Sequence, residues 1–437
     1  MEIVGLSEEK VRNISAIKGE ESWVLDYRLN GYKSFVSQDM PKFGPEINLN
    51  FDDVIYYKSN EADKKLENNW NNILKPVVDE LDSVGVLESE KHFGGMGVQY
   101  ESEVIYHNMI DELEMKHVIF TSIEDAIKRY PDLVKKYFGK IVSFAENKFA
   151  ALNAAVFSGG SFIYVPKNTV LDRPLQSYFR INSKNMGQFE RTLIIVDDNS
   201  SLHYVEGCTA PSYSESSLHA AIVEIHVGKN SKCRYSTVQN WATNVYNLVT
   251  KRAVVDDNGV MEWIDGNIGS KVTMKYPCCV LKGDNSRGTC ITISVAKSNQ
   301  EQDSGARMIH IGKNTKSNIV SKSIAGSGGN ATYRGKVDIK KSAINSEAMV
   351  KCDSLILDDK SMSDTIPVNA VGNLSSNIEH EATVSKISDD VLFYLMSRGI
   401  PEERATELIV LGFIDEFKEE LPMEYAVELN QLIKRNL

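Results

Sequence analysis

The sequence lacks an excess of basic residues, a long apolar run and an apolar leader. Its 437 residues carry 49 Lys and Arg against 60 Asp and Glu, which gives a net charge of −11 at pH 7. Because a nucleic-acid partner requires a basic face, this balance argues against nucleic acid. No stretch approaches the ~18–20 apolar residues of a membrane span, and the N-terminus has no signal-peptide core. We therefore expect a cytoplasmic protein with reduced thiols and no membrane partner.

Familiar catalytic motifs are absent as well. The sequence contains no GxxxxGK(S/T) phosphate loop, and no HExxH, GxSxG or dinucleotide-binding glycine fingerprint. Six cysteines are present, but they form no CxxC pair and no zinc-finger spacing. We expect no enzyme with its own nucleotide-hydrolysis site. If ATP is used, another chain must hydrolyse it.

From about residue 150, short β-branched runs alternate with similar polar turns. The fourth residue of each turn recurs every 27–31 residues, and such a period is typical of stacked repeats. The segments between the turns lack the helical pattern that a βαβ unit requires. The turn positions are Asn168, Asn199, Asn230, Asn258, Asn285, Asn314 and Ser342.

This period predicts a mainly β fold, a parallel β-helix (solenoid) with one coil per repeat. A β-sandwich with evenly spaced hairpins is the alternative. After Ser388 the pattern becomes helical, and we expect these helices to cap the solenoid and offer apolar surface to a partner. The expected regions are an N-terminal helix-rich region over 1–145, the β-helix core over 146–384 and a C-terminal helical domain over 385–437.

The period brings one cysteine close to a polar triplet. Cys352 precedes Glu379, His380 and Glu381 by 27, 28 and 29 residues, which is one coil. A thiolate, an imidazole and carboxylates in one place suit iron and sulfide. On a regular strand, however, His380 faces away from both glutamates, so either the strand is kinked or only one face contributes. A solvated charged face beside a buried cysteine is the alternative.

A second cysteine has a matching position. Cys208 precedes Cys352 by 144 residues, close to five periods, so the two should share a register about 24 Å apart. Cys208 is nine residues past Asn199, and Gln239 is nine past Asn230, which predicts that Cys208 and Gln239 are neighbours on adjacent coils. The other four cysteines are expected to be core residues.

Further polar residues follow from strand alternation, which places Trp241 on the face of Gln239 and Arg180 beside Asn182. If these faces point inward, a polar interior links the two cysteines and suggests transfer of sulfur as persulfide. Cys208 would then need to be a thiolate, its pKa lowered by Arg180 or Lys251. The alternative is that Arg180 and Lys251 are outward surface charges.

At these residues the sequence strongly resembles the SufB family, the scaffold subunits of the SUF iron–sulfur cluster assembly system. The resemblance covers roughly residues 93–437. It is carried by the segments GGSFIYVPKNTV, YFRIN, GQFERTLIIV, YVEGCTAP, LHAAIVEI, YSTVQNW, KYPCCVLKGDNS, MIHIGKNTKS, YRGKV, KCDSLIL and EHEAT.

The resemblance implies a right-handed parallel β-helix and a scaffold without enzymatic activity. The family's sulfur-accepting cysteine corresponds to Cys208, and its cluster-assembly cysteine to Cys352, with Glu379, His380 and Glu381 beside it. The implied cofactor is a transient iron–sulfur cluster. The implied partners are the ABC-type ATPase SufC, docked on 385–437, the paralogue SufD or a second SufB copy, and a cysteine desulfurase as sulfur donor.

The sequence also departs from this family. Many relatives carry a further cysteine before EHEAT, whereas residues 366–373 contain none, and no N-terminal CxxCxxxC motif is present. Non-thiolate ligands or a second chain therefore become more necessary. Nothing in the sequence indicates a reduced flavin. The rival interpretations are a SufD-like structural subunit and a β-helix polysaccharide lyase or hydrolase, and the sequence lacks the secretory signal typical of the latter.

Overall fold

The computed structural model describes residues 1–58, 67–83, 86–210 and 216–436. Its main feature is a β-solenoid of about eight turns, with helices before and after it in the chain. The described strands are β1 (Glu2–Val4), β2 (Ile55–Lys58), β3 (Gly95–Tyr100), β4 (Glu103–Met109), β5 (Ile119–Ser122), β6 (Ser161–Val165), β7 (Leu175–Arg180), β8 (Gly187–Gln188), β9 (Arg191–Val196), β10 (Ser201–Thr209), β11 (Ser217–His219), β12 (Ile222–Val227), β13 (Lys232–Trp241), β14 (Val245–Val255), β15 (Val260–Gly269), β16 (Val272–Lys275), β17 (Cys278–Leu281), β18 (Arg287–Lys297), β19 (Glu301–His310), β20 (Lys316–Gly326), β21 (Asn330–Ile339), β22 (Glu347–Ile356), β23 (Met362–Val371) and β24 (Asn377–Lys386).

The helices lie on either side of this series in the chain. The C-terminal ones follow the expected signals, since the Ser388 hydroxyl accepts a hydrogen bond from the Val391 N–H at the start of α9. The described helices are α1 (Glu8–Lys18), α2 (Ser22–Ser37), α3 (Lys75–Ser83), α4 (Val86–Ser89), α5 (Asp111–Met115), α6 (Ile123–Arg129), α7 (Pro131–Tyr137), α8 (Lys148–Val156), α9 (Asp389–Ser397), α10 (Glu402–Phe413), α11 (Asp415–Lys418) and α12 (Met423–Asn436). None of the helices within the described ranges has the length and apolar character to cross a membrane.

The solenoid consists of two sheets that the chain visits alternately. The first sheet has the order β4-β3-β7-β10-β13-β15-β18-β20-β22-β24, and the second runs β5-β6-β9-β12-β14-β16-β19-β21-β23. The coils pair in parallel throughout, and antiparallel pairs occur at β3–β4 and β5–β6 near the first coils. The predicted parallel β-helix is therefore confirmed.

The turn asparagines explain the period. Asn168, Asn199, Asn230, Asn258, Asn285 and Asn314 all have φ between 54° and 61°, a left-handed conformation that asparagine tolerates well. Their amides also form a ladder, in which the Asn230 side chain donates to Asn199 and accepts from Asn258, both at 3.0 Å. Each coil is thus aligned on the one before it.

The last predicted turn position is wrong. The residue that adopts the left-handed conformation after Asn314 is Asn345, with φ 56°, and not Ser342. The last of these coils is therefore 31 residues long rather than 28, because its turn contains three more residues than the pattern suggested.

The helices pack along the sides of the solenoid and not over its final coil. Val11 of α1 and Leu152 of α8 belong to one core with Tyr246 on the outer face of the second sheet. On the outer face of the first sheet, Val205 packs in one core with Phe417 of α11. The expectation that the C-terminal helices cap the solenoid is wrong, since residues along β23 and β24 are exposed.

Candidate functional site

Cys208 and Cys352 lie on one sheet, five strands apart, but in different registers. Following the paired strands, Cys208 aligns with Ser354, and Cys352 aligns with Glu206. The shared register is therefore wrong by two residues, because five coils span 146 residues and not 144. An offset of two residues keeps both side chains on the same, inward face.

The register assigns a continuous column of polar side chains to the interior between the two cysteines. We call it the polar stack, and each member is at most 2% exposed. Its hydroxyls interact directly in places, as where Thr292 Oγ1 donates to Ser321 Oγ at 3.1 Å. The members are Glu206, Thr237, Asp265, Thr292, Ser321 and Cys352.

Cys208 heads a parallel column and contacts two polar side chains. It aligns with Gln239, as predicted, and Gln239 Nε2 lies 3.9 Å from Cys208 Sγ. The thiol also donates to Glu206 Oε1 at 3.7 Å, and the Tyr235 hydroxyl donates to the other oxygen of Glu206. Cys208 is therefore joined to the first residue of the polar stack.

Two lysines and an aspartate lie in the same interior. Lys251 Nζ and Lys275 Nζ donate to Asp265 Oδ1 at 3.2 and 3.3 Å, and all three side chains are fully buried. Lys275 also donates to Gln239 Oε1 at 3.1 Å. Burial lowers the pKa of Lys275 to about 8, although Asp265 raises it in part. The alternative in which Lys251 is a surface charge is excluded.

The expected thiolate at Cys208 is wrong for this conformation. Burial raises the pKa of Cys208 well above its ordinary value, and the neighbouring Glu206 and Glu190 raise it further. Lys251 and Lys275 lower this pKa only in part. Cys208 is therefore a protonated thiol at neutral pH, and its activation requires a proton acceptor.

Three other residues were predicted to line the polar interior between the two cysteines, and the structure separates them into two groups. Trp241 is buried on the Gln239 side, its ring 4.6 Å from that of His219. Arg180 aligns with Thr209 and bonds its hydroxyl at 2.9 Å, so alternation turns it away from Cys208. Asn182 follows the end of β7 and donates to the Tyr100 hydroxyl at 2.6 Å. The structure thus brings Trp241, but not Arg180 or Asn182, to the cysteine.

Cys352 meets His380 near the last coil. The Sγ–Nε2 distance is 3.7 Å, and His380 Nδ1 lies 3.3 Å from the Asn369 amide nitrogen. Burial raises the pKa of Cys352 to about 12, which the Tyr333 hydroxyl lowers in part, and burial lowers the pKa of His380. These two side chains offer a soft and a borderline donor on one face.

Glu379 and Glu381 do not join this pair. His380 aligns with Val350, so its neighbours in sequence point to the opposite face of β24, where both glutamates are exposed. The strand is therefore not kinked there, and within this chain His380 shares a face with Cys352 that the two glutamates do not share. Among the described residues, no group of three or more His, Cys, Asp and Glu side chains is arranged to hold a metal ion.

The other four cysteines are buried, as expected of core residues: Cys233, Cys278, Cys279 and Cys290. Sequence reasoning missed Glu206, Asp265 and Lys275. Glu206 could have been predicted from the sequence, because it lies two residues before Cys208 and alternation puts both on one face of the strand. Lys275 belongs to the opposite sheet, and only the folded chain brings it to Asp265.

Comparisons with known proteins bear on this arrangement. A family model described as SUF system FeS cluster assembly, SufBD core domain, matches residues 179–413. A second, described as SufBD protein N-terminal region, matches residues 98–177. Together these matches contain both cysteines and most of the solenoid.

Individual relatives align over nearly the whole chain. The iron–sulfur cluster assembly protein SufB of Bacillus subtilis (strain 168) is 54% identical over 432 residues, covering 98% of this chain and 92% of the relative. An iron–sulfur cluster assembly SufBD family protein of Staphylococcus aureus (strain USA300) is 56% identical over 432 residues, which again cover 98% of this chain and 92% of the relative. The resemblance drawn from the motifs is confirmed. The chain belongs to the SufBD family of iron–sulfur cluster assembly proteins.

Proposed function

We propose that this chain is a scaffold that accepts persulfide sulfur at Cys208 and builds an iron–sulfur cluster at Cys352. The observation that carries the proposal is the polar stack, because buried polar side chains are unfavourable unless they are bonded or used. Thr237 Oγ1 and Asp265 Oδ2 have no hydrogen-bond partner among the described groups. These atoms can solvate a small polar sulfur species between the two cysteines.

The nascent cluster would be held by Cys352 and His380. Two donors from one chain do not complete the four-coordinate site that iron takes in such clusters, so further ligands must come from elsewhere. Glu379 and Glu381 face outward on β24, where they can reach iron only at a surface shared with another chain. Cys352, His380, Glu379 and Glu381 remain the proposed cluster ligands on this basis.

A second chain is supported by the form of the last coil. Among the described strands, β23 and β24 each end a sheet with one unpaired edge, and unpaired edges are templates for strand pairing. Val368 and Val371 on β23 and Val384 on β24 are about half exposed. SufD or a second copy of this chain would cover this surface and complete the cluster site.

The C-terminal domain, 385–437, would dock the ABC-type ATPase SufC. α9 exposes an apolar face in which Phe393 is 74% and Tyr394 56% exposed, beside Val391 and Met396. An unpartnered apolar helix face is typical of a docking surface. ATP cycling in the partner would then open and close the last coil, and a cysteine desulfurase would supply the persulfide.

The sulfur step is tested by labelling. The chain is incubated with a cysteine desulfurase and cysteine, and persulfidated cysteines are identified by alkylation and mass spectrometry. We expect sulfur at Cys208, and Cys290→Ser serves as the control because Cys290 is an equally buried thiol outside the polar stack. An unlabelled Cys208 in a chain that still assembles clusters would remove the sulfur-entry role.

The cluster step is tested by reconstitution with iron and sulfide. Cys352→Ser should lose the absorption of the assembled cluster, whereas Cys290→Ser should keep it. Assembly and transfer by Cys352→Ser at the wild-type level would show that the site is wrong. A wild-type chain that shows no iron–sulfur absorption, alone or with a second copy, would favour the SufD-like structural role.

A further inference from the structure

We propose that Glu206 is the proton acceptor that activates Cys208, and that Tyr235 positions it. This inference rests on the proposed role of Cys208 as the sulfur acceptor. It assigns a catalytic residue to the transfer step and a structural reason why Glu206 and Cys208 stand two positions apart, on one face of β10.

The geometry has the three parts of an activated nucleophile. Cys208 Sγ donates to Glu206 Oε1 at 3.7 Å, and the Tyr235 hydroxyl holds the second carboxylate oxygen. A nucleophile, a base within reach and a third group that orients the base is the arrangement that nucleophilic catalysis requires. Glu206 and Tyr235 are each at least 98% buried, so the carboxylate lies closer to the thiol proton than bulk water does.

Electrostatics favours transfer of the Cys208 proton to Glu206 over loss of that proton to solvent. Loss of the Cys208 proton to solvent would leave a thiolate beside a carboxylate in an enclosed interior, and two adjacent negative charges are strongly unfavourable there. Transfer of the proton to Glu206 keeps a single negative charge within the pair. Lys251 and Lys275 stabilise that charge on either atom, since both also lower the pKa of Cys208.

The other carboxylates in this interior each have one oxygen bonded to a different side chain. Glu190 pairs with His219, and Asp265 accepts from both lysines. Among the described residues, Glu206 is the carboxylate in contact with the Cys208 thiol. Burial raises the pKa of Glu206, which brings it toward the range in which a base works near neutral pH. The titratable groups facing the pair are Glu190, Tyr204, His219, Tyr235, Lys251, Asp265 and Lys275.

The chemical step is a transpersulfidation without net oxidation. The Cys208 proton moves to Glu206, and the Cys208 sulfur attacks the terminal sulfur of a persulfide donor R–S–SH. The donor's S–S bond breaks as a new S–S bond forms on Cys208, and Glu206 returns its proton to the leaving thiolate. The products are RSH and Cys208 persulfide, so atoms, protons and electrons balance.

The test follows Cys208 persulfide formation by rapid quench and mass spectrometry, with cysteine hydropersulfide as the donor, across a pH series. Glu206→Gln should slow the step about 100-fold or more at neutral pH. Its rate should then rise tenfold per pH unit, because only spontaneous ionisation supplies the thiolate, whereas the wild-type rate should level off above the Glu206 pKa. Tyr235→Phe should cause a smaller loss, and Glu206→Asp should restore the wild-type pH profile.

Glu262→Gln is the matched control. Glu262 is a carboxylate two coils further along that pairs with Arg234, and its variant should keep both the rate and the pH profile. A Glu206→Gln rate equal to wild type, or a slower rate with the wild-type pH profile, overturns the role of Glu206 alone. Absence of sulfur from Cys208 in the wild-type chain overturns the proposed function together with this inference.

Discussion

Asp265 is predicted to hold two buried ammonium groups inside the solenoid, and Asp265→Asn tests this directly. Lys251 Nζ and Lys275 Nζ both lie within 3.3 Å of its Oδ1, and all three side chains are fully buried. Removing one partner of a buried ion pair costs roughly 3–5 kcal/mol, because the remaining charge is left uncompensated. We expect a loss of that size in the free energy of unfolding at pH 7.

The pH dependence of this loss has a definite sign. In the wild-type chain the pKa of Lys275 falls from 10.5 to about 8, so the unfolded state binds more protons between these values and stability rises with pH there. In Asp265→Asn the carboxylate no longer raises this pKa, and the rise begins below pH 8. The difference between the two chains should therefore shrink by about 1.4 kcal/mol per pH unit between pH 7 and 8, and then stay constant.

Urea unfolding at pH 7, 7.5, 8 and 9 measures this difference, with the buried Trp241 and Trp263 as fluorescent probes. Asp257→Asn is the control, since Asp257 forms an exposed ion pair with Lys229 and should show no measurable change at any pH. A loss of less than about 1 kcal/mol at pH 7, or a loss that is the same at pH 7 and 8, would refute the assignment of Asp265 as the counter-ion.

Three further predictions concern the turns, the stack and the docking face. Asn230→Ala should lower the free energy of unfolding by about 1–2 kcal/mol more than Asn230→Gly. Both variants lose the amide ladder, but only alanine is strained at φ 55°. Equal losses in urea unfolding would contradict this. Ser321→Val should block the polar stack, so desulfurase-driven assembly should fall several-fold while reconstitution with free iron and sulfide stays normal. Phe393→Asp should abolish the proposed binding of the SufC ATPase in a pull-down or by calorimetry and leave the melting temperature unchanged, since Phe393 is 74% exposed.

The solenoid was predictable because one residue in each coil is under a strong local constraint. Each turn needs a left-handed residue, and asparagine satisfies it from Asn168 to Asn314. This constraint predicts where a turn occurs but not how many residues the turn contains. With the longer turn before Asn345, five coils span 146 residues, so Cys352, 144 residues after Cys208, is two residues out of the predicted alignment; the number of coils between the cysteines was correct.

The candidate site was predictable only where it follows from one strand. Alternation separates His380 from Glu379 and Glu381, and the structure confirms this. The charges around Cys208 come instead from both sheets, and Lys275 in TMKYP has no local feature that marks it as buried beside Asp265. Hydroxyl residues such as Ser321 are equally inconspicuous, because serine is common on solvated strands.

The two ends of the polar stack differ in a way that suits their proposed tasks. Around Cys208, the carboxylates of Glu206 and Asp265 are balanced by Lys251 and Lys275, and such a charged, enclosed site favours movement of a proton between fixed groups. Around Cys352 the contacts are a tyrosine hydroxyl and an imidazole, one strand from the open end of the sheet. Under the proposed function, iron would arrive there from outside, while sulfur would reach the same cysteine from within. Under the proposed function, the solenoid would separate the sulfur-accepting thiol from free iron, and sulfur and iron would meet only at the last coil.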